Sequence, residues 1–170
     1  ERGFTFLKMD LGINHLIGTE GALSAPLGFL EEFKKAQEAV KKAAENKEED
    51  PLTWYNARNR LYDLINIAHP FTGIHITEKG LDILEEYVAQ VREVIGYDIP
   101  LAIDHVGHIG LEDCIKFARR MEKYSLAWLE DLLPWQLTDQ YAILRRSTTT
   151  PICTGEDIYL KENFKPLLES

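Results

Sequence analysis

Apolar and polar positions follow two alternating rhythms along most of this chain. Phe4-Thr5-Phe6-Leu7-Lys8-Met9 is rich in β-formers and closes on Asp10-Leu11-Gly12, which predicts a short strand ending at a turn. A long polar region follows. Within it, Phe29 to Asn46 repeats apolar residues at helical spacing (Leu30, Phe33, Ala36, Val40, Ala43). Pro51 restarts the pattern, and Leu52 to Ala68 reads as a second amphipathic helix that His69-Pro70 ends.

From residue 77 the rhythm becomes regular. Thr77 is a good N-cap for a helix carrying Leu81, Leu84, Tyr87, Val88, Val91 and Ile95, and Gly96 stops it. Pro100 to Asp104 is an apolar strand and Leu111 to Tyr124 a helix with Cys114, Ile115, Ala118 and Met121 inward. Leu126 to Glu130 is a strand, Thr138 to Arg146 a short helix, Pro151 to Thr154 a strand, and Lys161 to Leu168 another helix. Strands alternating with helices predict an α/β fold with a parallel sheet.

The period carries chemical information. Asp104, Glu130 and Glu156 stand 26 residues apart in two equal steps, each at or just past the C-terminal end of a predicted strand. Parallel strands in register place those ends side by side, so the three acids are expected to cluster. Three neighbouring anions in a partly buried site repel one another, and a divalent cation relieves that repulsion. All-oxygen donors select a hard ion, Mg²⁺ first and Mn²⁺ next, rather than Zn²⁺. Taken singly, an acid after a strand is more often a helix cap or a solvated loop residue; the equal spacing of the set is what points to a metal.

Composition narrows the partners. The net charge of −9 argues against nucleic acid. No apolar run reaches the roughly 20 residues that cross a bilayer. The two cysteines, Cys114 and Cys153, are too few for a disulfide framework and lack zinc-knuckle spacing, so reduced thiols and a cytoplasmic location are expected. No Gly-rich phosphate loop follows any strand, which excludes a nucleotide-binding α/β protein.

The series Lys8-Met9-Asp10, Ile103-Asp104, Trp128-Leu129-Glu130-Asp131 with Pro134, and Cys153-Thr154-Gly155-Glu156 resembles the enolase superfamily, within its mandelate racemase/muconate lactonizing branch. The resemblance implies part of a TIM-type (β/α)7β barrel with Asp104, Glu130 and Glu156 as Mg²⁺ ligands. It divides the chain into a barrel strand at 1–12, a long helical insertion at 13–76 near the active-site face, and consecutive β/α units at 77–170. The family's N-terminal capping domain and its later barrel strands are missing from this series. The chain, which opens without a Met, is therefore expected to be about half a barrel, processed or partial. A half barrel would expose apolar strand edges, so a homo-oligomer is expected.

The implied chemistry is abstraction of the proton α to a carboxylate, with the metal holding the enediolate. Many members carry Lys-x-Lys on the second strand; here Lys8 matches the first lysine and Asp10 replaces the second. Residues 8 and 10 share a strand face. Lys8 is a candidate electrostatic partner for substrate, and Asp10 a candidate site residue whose alternative is a simple turn role. The second position after the strand's Asp, usually polar in the family, is Val106, and His105 and His108 flank it. Either histidine is a candidate acid for a departing hydroxyl or a ligand for sugar hydroxyls. Asn14, His15, His69 and His75 of the insertion are possible substrate contacts. These features favour dehydration of a sugar acid to a 2-keto-3-deoxy acid, with a racemase, epimerase or cycloisomerase as the alternative. A barrel that only binds metal or a partner is the alternative of another class; the intact acid triad argues against it.

Overall fold

The computed structural model describes residues 3–65, 73–104, 106 and 109–170. His69, His105 and His108 lie outside the described residues. Four strands form one sheet in the order β1 (Leu7–Asp10), β4 (Leu101–Asp104), β5 (Leu129–Glu130), β6 (Ile152–Cys153), and every neighbouring pair is parallel. A parallel neighbour needs a crossover, and helices supply it. α3 (Glu78–Ile95) precedes β4, α4 (Leu111–Met121) precedes β5, α5 (Thr138–Ser147) precedes β6, and α6 (Lys161–Glu169) follows. The expected α/β alternation is therefore present, as an open sheet among the described residues rather than a closed barrel.

Strand alternation divides the sheet into two faces. Leu101, Ile103 and Leu129 are fully buried and, with Leu7, Met9 and Ile152, form one core with Leu84 and Val88 of α3, Phe117, Ala118 and Met121 of α4 and Leu144 of α5. Burying each such side chain contributes about 1.5–3 kcal/mol. Lys8, Asp10, Ala102, Asp104, Glu130 and Cys153 belong to the opposite face by the same register.

The helix ends follow local chemistry. Thr77 caps α3 by accepting from Gly80 N at 3.1 Å, while its hydroxyl donates to the Gly21 carbonyl at 2.6 Å. Gly96, at φ 68°, ends the helix. Arg92, on the same helix, is buried and donates to the carbonyls of Gly96, Ile99, Tyr124 and Ser125 at 2.9–3.0 Å. Those carbonyls belong to the segments that lead into β4 and β5, so one guanidinium ties together the sheet's N-terminal end.

The insertion holds two packed helices, α1 (Phe29–Ala44) and α2 (Pro51–Ile65), with Phe33, Ala36 and Leu64 buried. It also holds a feature that the hydrophobic pattern does not predict. β2 (Leu23–Ser24) and β3 (His75–Ile76) pair antiparallel and close the insertion at its base. Two-residue strands are too short to show a period of two, which is why they escape a pattern-based reading. The first strand also begins later than expected, at Leu7, leaving Phe4 exposed and Phe6 partly so.

Candidate metal centre

Register brings the first two acids together. Ile103 pairs with Leu129, so Asp104 and Glu130, the last residues of β4 and β5, stand side by side. Asp104 is 2% exposed and Glu130 9% exposed. The third acid arrives differently. Glu130 pairs with Cys153, so the equivalent row position on β6 is a cysteine rather than Glu156. Glu156 comes from the following loop, where Gly155 adopts φ 134°. Two contacts hold this loop to β5: Thr154 Oγ1 donates to Asp131 Oδ1 at 2.7 Å, and Asp131 N donates to the Cys153 carbonyl at 3.1 Å. The equal sequence steps thus conceal two strand-end acids and one loop acid.

One carboxylate oxygen from each of Asp104, Glu130 and Glu156 lies within 4.8 Å of the others, with Glu156 on the exposed side. Lys8 joins them. Its Nζ stands 2.6 Å from Asp104 Oδ2 and 3.1 Å from Glu130 Oε2. The hydrogen bond to Asp104, followed by the bond to Glu130 and the two negative charges, holds the ammonium well above the usual lysine range despite partial burial. Trp128 supplies another contact, its indole Nε1 donating to Glu130 Oε2 at 2.7 Å. Nearby, burial pushes the Cys153 thiol up, helped by the charges of Glu130 and Asp131.

These residues suit a divalent cation. Among the described residues, three carboxylates and one ammonium leave two negative charges, which a divalent cation neutralises. The donors are all hard oxygens, which favours Mg²⁺ or Mn²⁺.

The other candidates separate. Asp10 is exposed at the end of β1, paired in register with Asp104. Val106 is fully buried, and its carbonyl accepts from Ile13 N at 2.9 Å. That bond extends the β1–β4 pairing beyond the strand ends, so Val106 is core rather than a substrate contact. His15 accepts from Gly12 N at 3.3 Å and its ring lies 5.8 Å from that of Tyr87, which gives it a local packing role. His75 Nδ1 lies 2.9 Å from Asp113 Oδ2 in the first turn of α4, and Asn14 is exposed. Trp128, quoted within the strand motif, is the residue to which the sequence reading gave no role. Its signal was available: it stands two positions before Glu130, the spacing that puts two residues of an extended segment on one face.

Residues 63–170 match the enolase C-terminal domain-like family. A D-mannonate dehydratase from Caulobacter vibrioides is 30% identical over 100 residues, covering 59% of this chain and 25% of the relative. A D-xylonate dehydratase from Haloferax volcanii is 34% identical over 96 residues, covering 56% and 23%. Among solved structures, a mandelate racemase/muconate lactonizing enzyme-like protein from Rubrobacter xylanophilus is 39% identical with a TM-score of 0.53, covering 55% of this chain and 24% of that one. The matched segment spans about a quarter of the length of these relatives. With the family match running through more than half of its length, this chain belongs to the enolase C-terminal domain-like family, in the mandelate racemase/muconate lactonizing branch of the enolase superfamily.

Proposed function

We propose that this chain carries the metal centre of a sugar-acid dehydratase built on a (β/α)7β barrel. The observation that carries the reading is the cluster of Asp104, Glu130 and Glu156, with oxygens within 4.8 Å of one another. The names of the dehydratase relatives support the substrate class.

Asp104, Glu130 and Glu156 would hold one Mg²⁺ or Mn²⁺. Bound there, the cation supplies Lewis-acid stabilisation of the oxyanion that forms when the proton α to a carboxylate leaves. Lys8 has three N–H donors and spends two on Asp104 and Glu130. The third is available to a substrate carboxylate or enolate oxygen. With its ammonium bonded to both carboxylates, Lys8 serves as an electrostatic partner for the substrate. Asp10, on the same face, accepts a hydrogen bond from a substrate hydroxyl.

His105 or His108 supplies the proton that the departing β-hydroxyl needs. The α-proton leaves to a base, the hydroxyl leaves with a proton as water, and the resulting enol ketonises to the 2-keto-3-deoxy acid. The insertion at 13–76 departs from β1 at the metal end of the sheet and flanks the site, as the βα-loops of a barrel do.

The test is a screen of galactonate, mannonate, xylonate and related acids with the full-length protein and Mg²⁺, read as 2-keto-3-deoxy product. Glu130→Gln should abolish both turnover and Mg²⁺ binding. Exchange of the α-proton with solvent deuterium and no loss of water would instead establish the racemase or epimerase reading.

A further inference from the structure

The two donors to Glu130 converge on one oxygen. Trp128 Nε1 and Lys8 Nζ both bond Oε2, at 2.7 and 3.1 Å. The indole is the more fixed of the two. Its ring stacks on Phe6 with centroids 5.0 Å apart and planes 28° apart. Ala102, which pairs with Lys8 on β1 and precedes the Ile103–Leu129 pair, is small and fully buried between them. Lys8, by contrast, is a flexible chain with a side chain 37% exposed, free to turn toward a substrate. The indole therefore keeps Oε2 engaged even when Lys8 moves.

A carboxylate with one oxygen held by a protein donor offers its other oxygen to a metal. This matters for ion choice. Ca²⁺ accepts carboxylates through both oxygens, takes 6–8 ligands and tolerates irregular geometry, whereas Mg²⁺ demands a near-octahedral set of single oxygens. We propose that Trp128 is a positioning residue that holds Glu130 as a one-oxygen ligand and thereby sets the centre's preference for Mg²⁺ over Ca²⁺. The proposal rests on the reading of Asp104, Glu130 and Glu156 as ligands of one divalent cation.

The experiment measures Mg²⁺ and Ca²⁺ dissociation constants by calorimetry for the full-length wild type and for Trp128→Phe, which keeps an aromatic ring against Phe6 and removes the N–H donor. Losing an outer-shell partner of this kind costs roughly 10-fold or more in metal affinity. Mg²⁺ binding should weaken by about that factor while Ca²⁺ binding holds or improves, so the selectivity ratio falls. A purely structural role for the ring would leave the ratio unchanged, and an unchanged ratio overturns the proposal while leaving the metal centre standing. A wild type that binds neither ion overturns both. If Trp128→Phe does not fold, the wild-type ¹H–¹⁵N spectrum decides, with the Trp128 indole signal assigned by triple-resonance experiments. That signal should shift on Mg²⁺ saturation; no shift overturns the proposal.

Discussion

Gly12 lies directly on the backbone of Val106: a Cβ placed at Gly12 would stand 2.1 Å from the Val106 carbonyl oxygen. Gly12 has extended φ, so the constraint is the close approach and not the conformation. The contact sits where β1 and β4 continue to pair beyond their ends, two residues past Asp104. Any side chain at position 12 must push the end of β1 away from the segment that carries Asp104.

Gly12→Ala is therefore expected to destabilise the protein by about 3 kcal/mol or more, since the opposing atoms are backbone and do not yield. The loss should appear in chemical denaturation. Residual folded protein should bind Mg²⁺ more weakly, because the end of β4 that carries Asp104 is displaced.

Lys8→Met separates electrostatics from catalysis. Removing the ammonium removes a like charge from the cation's site, so Mg²⁺ affinity should rise, by up to about 10-fold for a change of about 1.4 kcal/mol. Turnover should fall at the same time. Calorimetry and a product assay on the same preparation check the split; weaker Mg²⁺ binding would contradict the assignment of Lys8 as an electrostatic partner.

Arg92→Lys tests the opposite end of the sheet. A lysine keeps the charge but not the planar fork that reaches four carbonyls at once. Charge-assisted hydrogen bonds contribute about 1.5–3 kcal/mol each, and burial leaves the unmet carbonyls without solvent. A loss of about 3 kcal/mol is expected, a drop in melting temperature of roughly 6–12 °C. Mg²⁺ affinity at temperatures where the variant is folded should stay within about 2-fold, because Arg92 ties the N-terminal strand ends and the acids occupy the other.

Glu122 gives a pH prediction. Its carboxylate accepts from Thr149 N at 2.8 Å and Thr148 Oγ1 at 2.9 Å, and the backbone bond first, then the hydroxyl, holds it below the usual 4.5. A depressed carboxylate contributes stability that is present above its unfolded value and is lost as pH falls through the folded one. Glu122→Gln should therefore lower the melting temperature at pH 7 and make progressively less difference below about pH 4.5. A difference that grows on acidification would refute the assignment.

Much of the fold was legible because strong periods survive without context. The helices around Leu84, Phe117 and Leu144 and the apolar strand Leu101–Asp104 appear close to where their patterns place them. The ribbon of Leu23–Ser24 with His75–Ile76 was not legible, since each strand is two residues long and 50 residues separate the pairing partners. Arg92 was equally opaque, because nothing in a helical pattern reveals that an arginine on its buried face meets the distant carbonyls of Tyr124 and Ser125.

By itself, the sequence determined the order of elements and the identity of the three acids, because hydrophobic period and equal spacing are properties of the chain alone. Tertiary structure alone decided how those acids meet. β-sheet register placed Asp104 beside Glu130, a loop turned at Gly155 carried Glu156 to them, and the same register stood Lys8 and Trp128 around one oxygen of Glu130. Register is set by backbone pairing between segments far apart in the chain, so residues that bond across strands leave no trace in the local pattern of either strand.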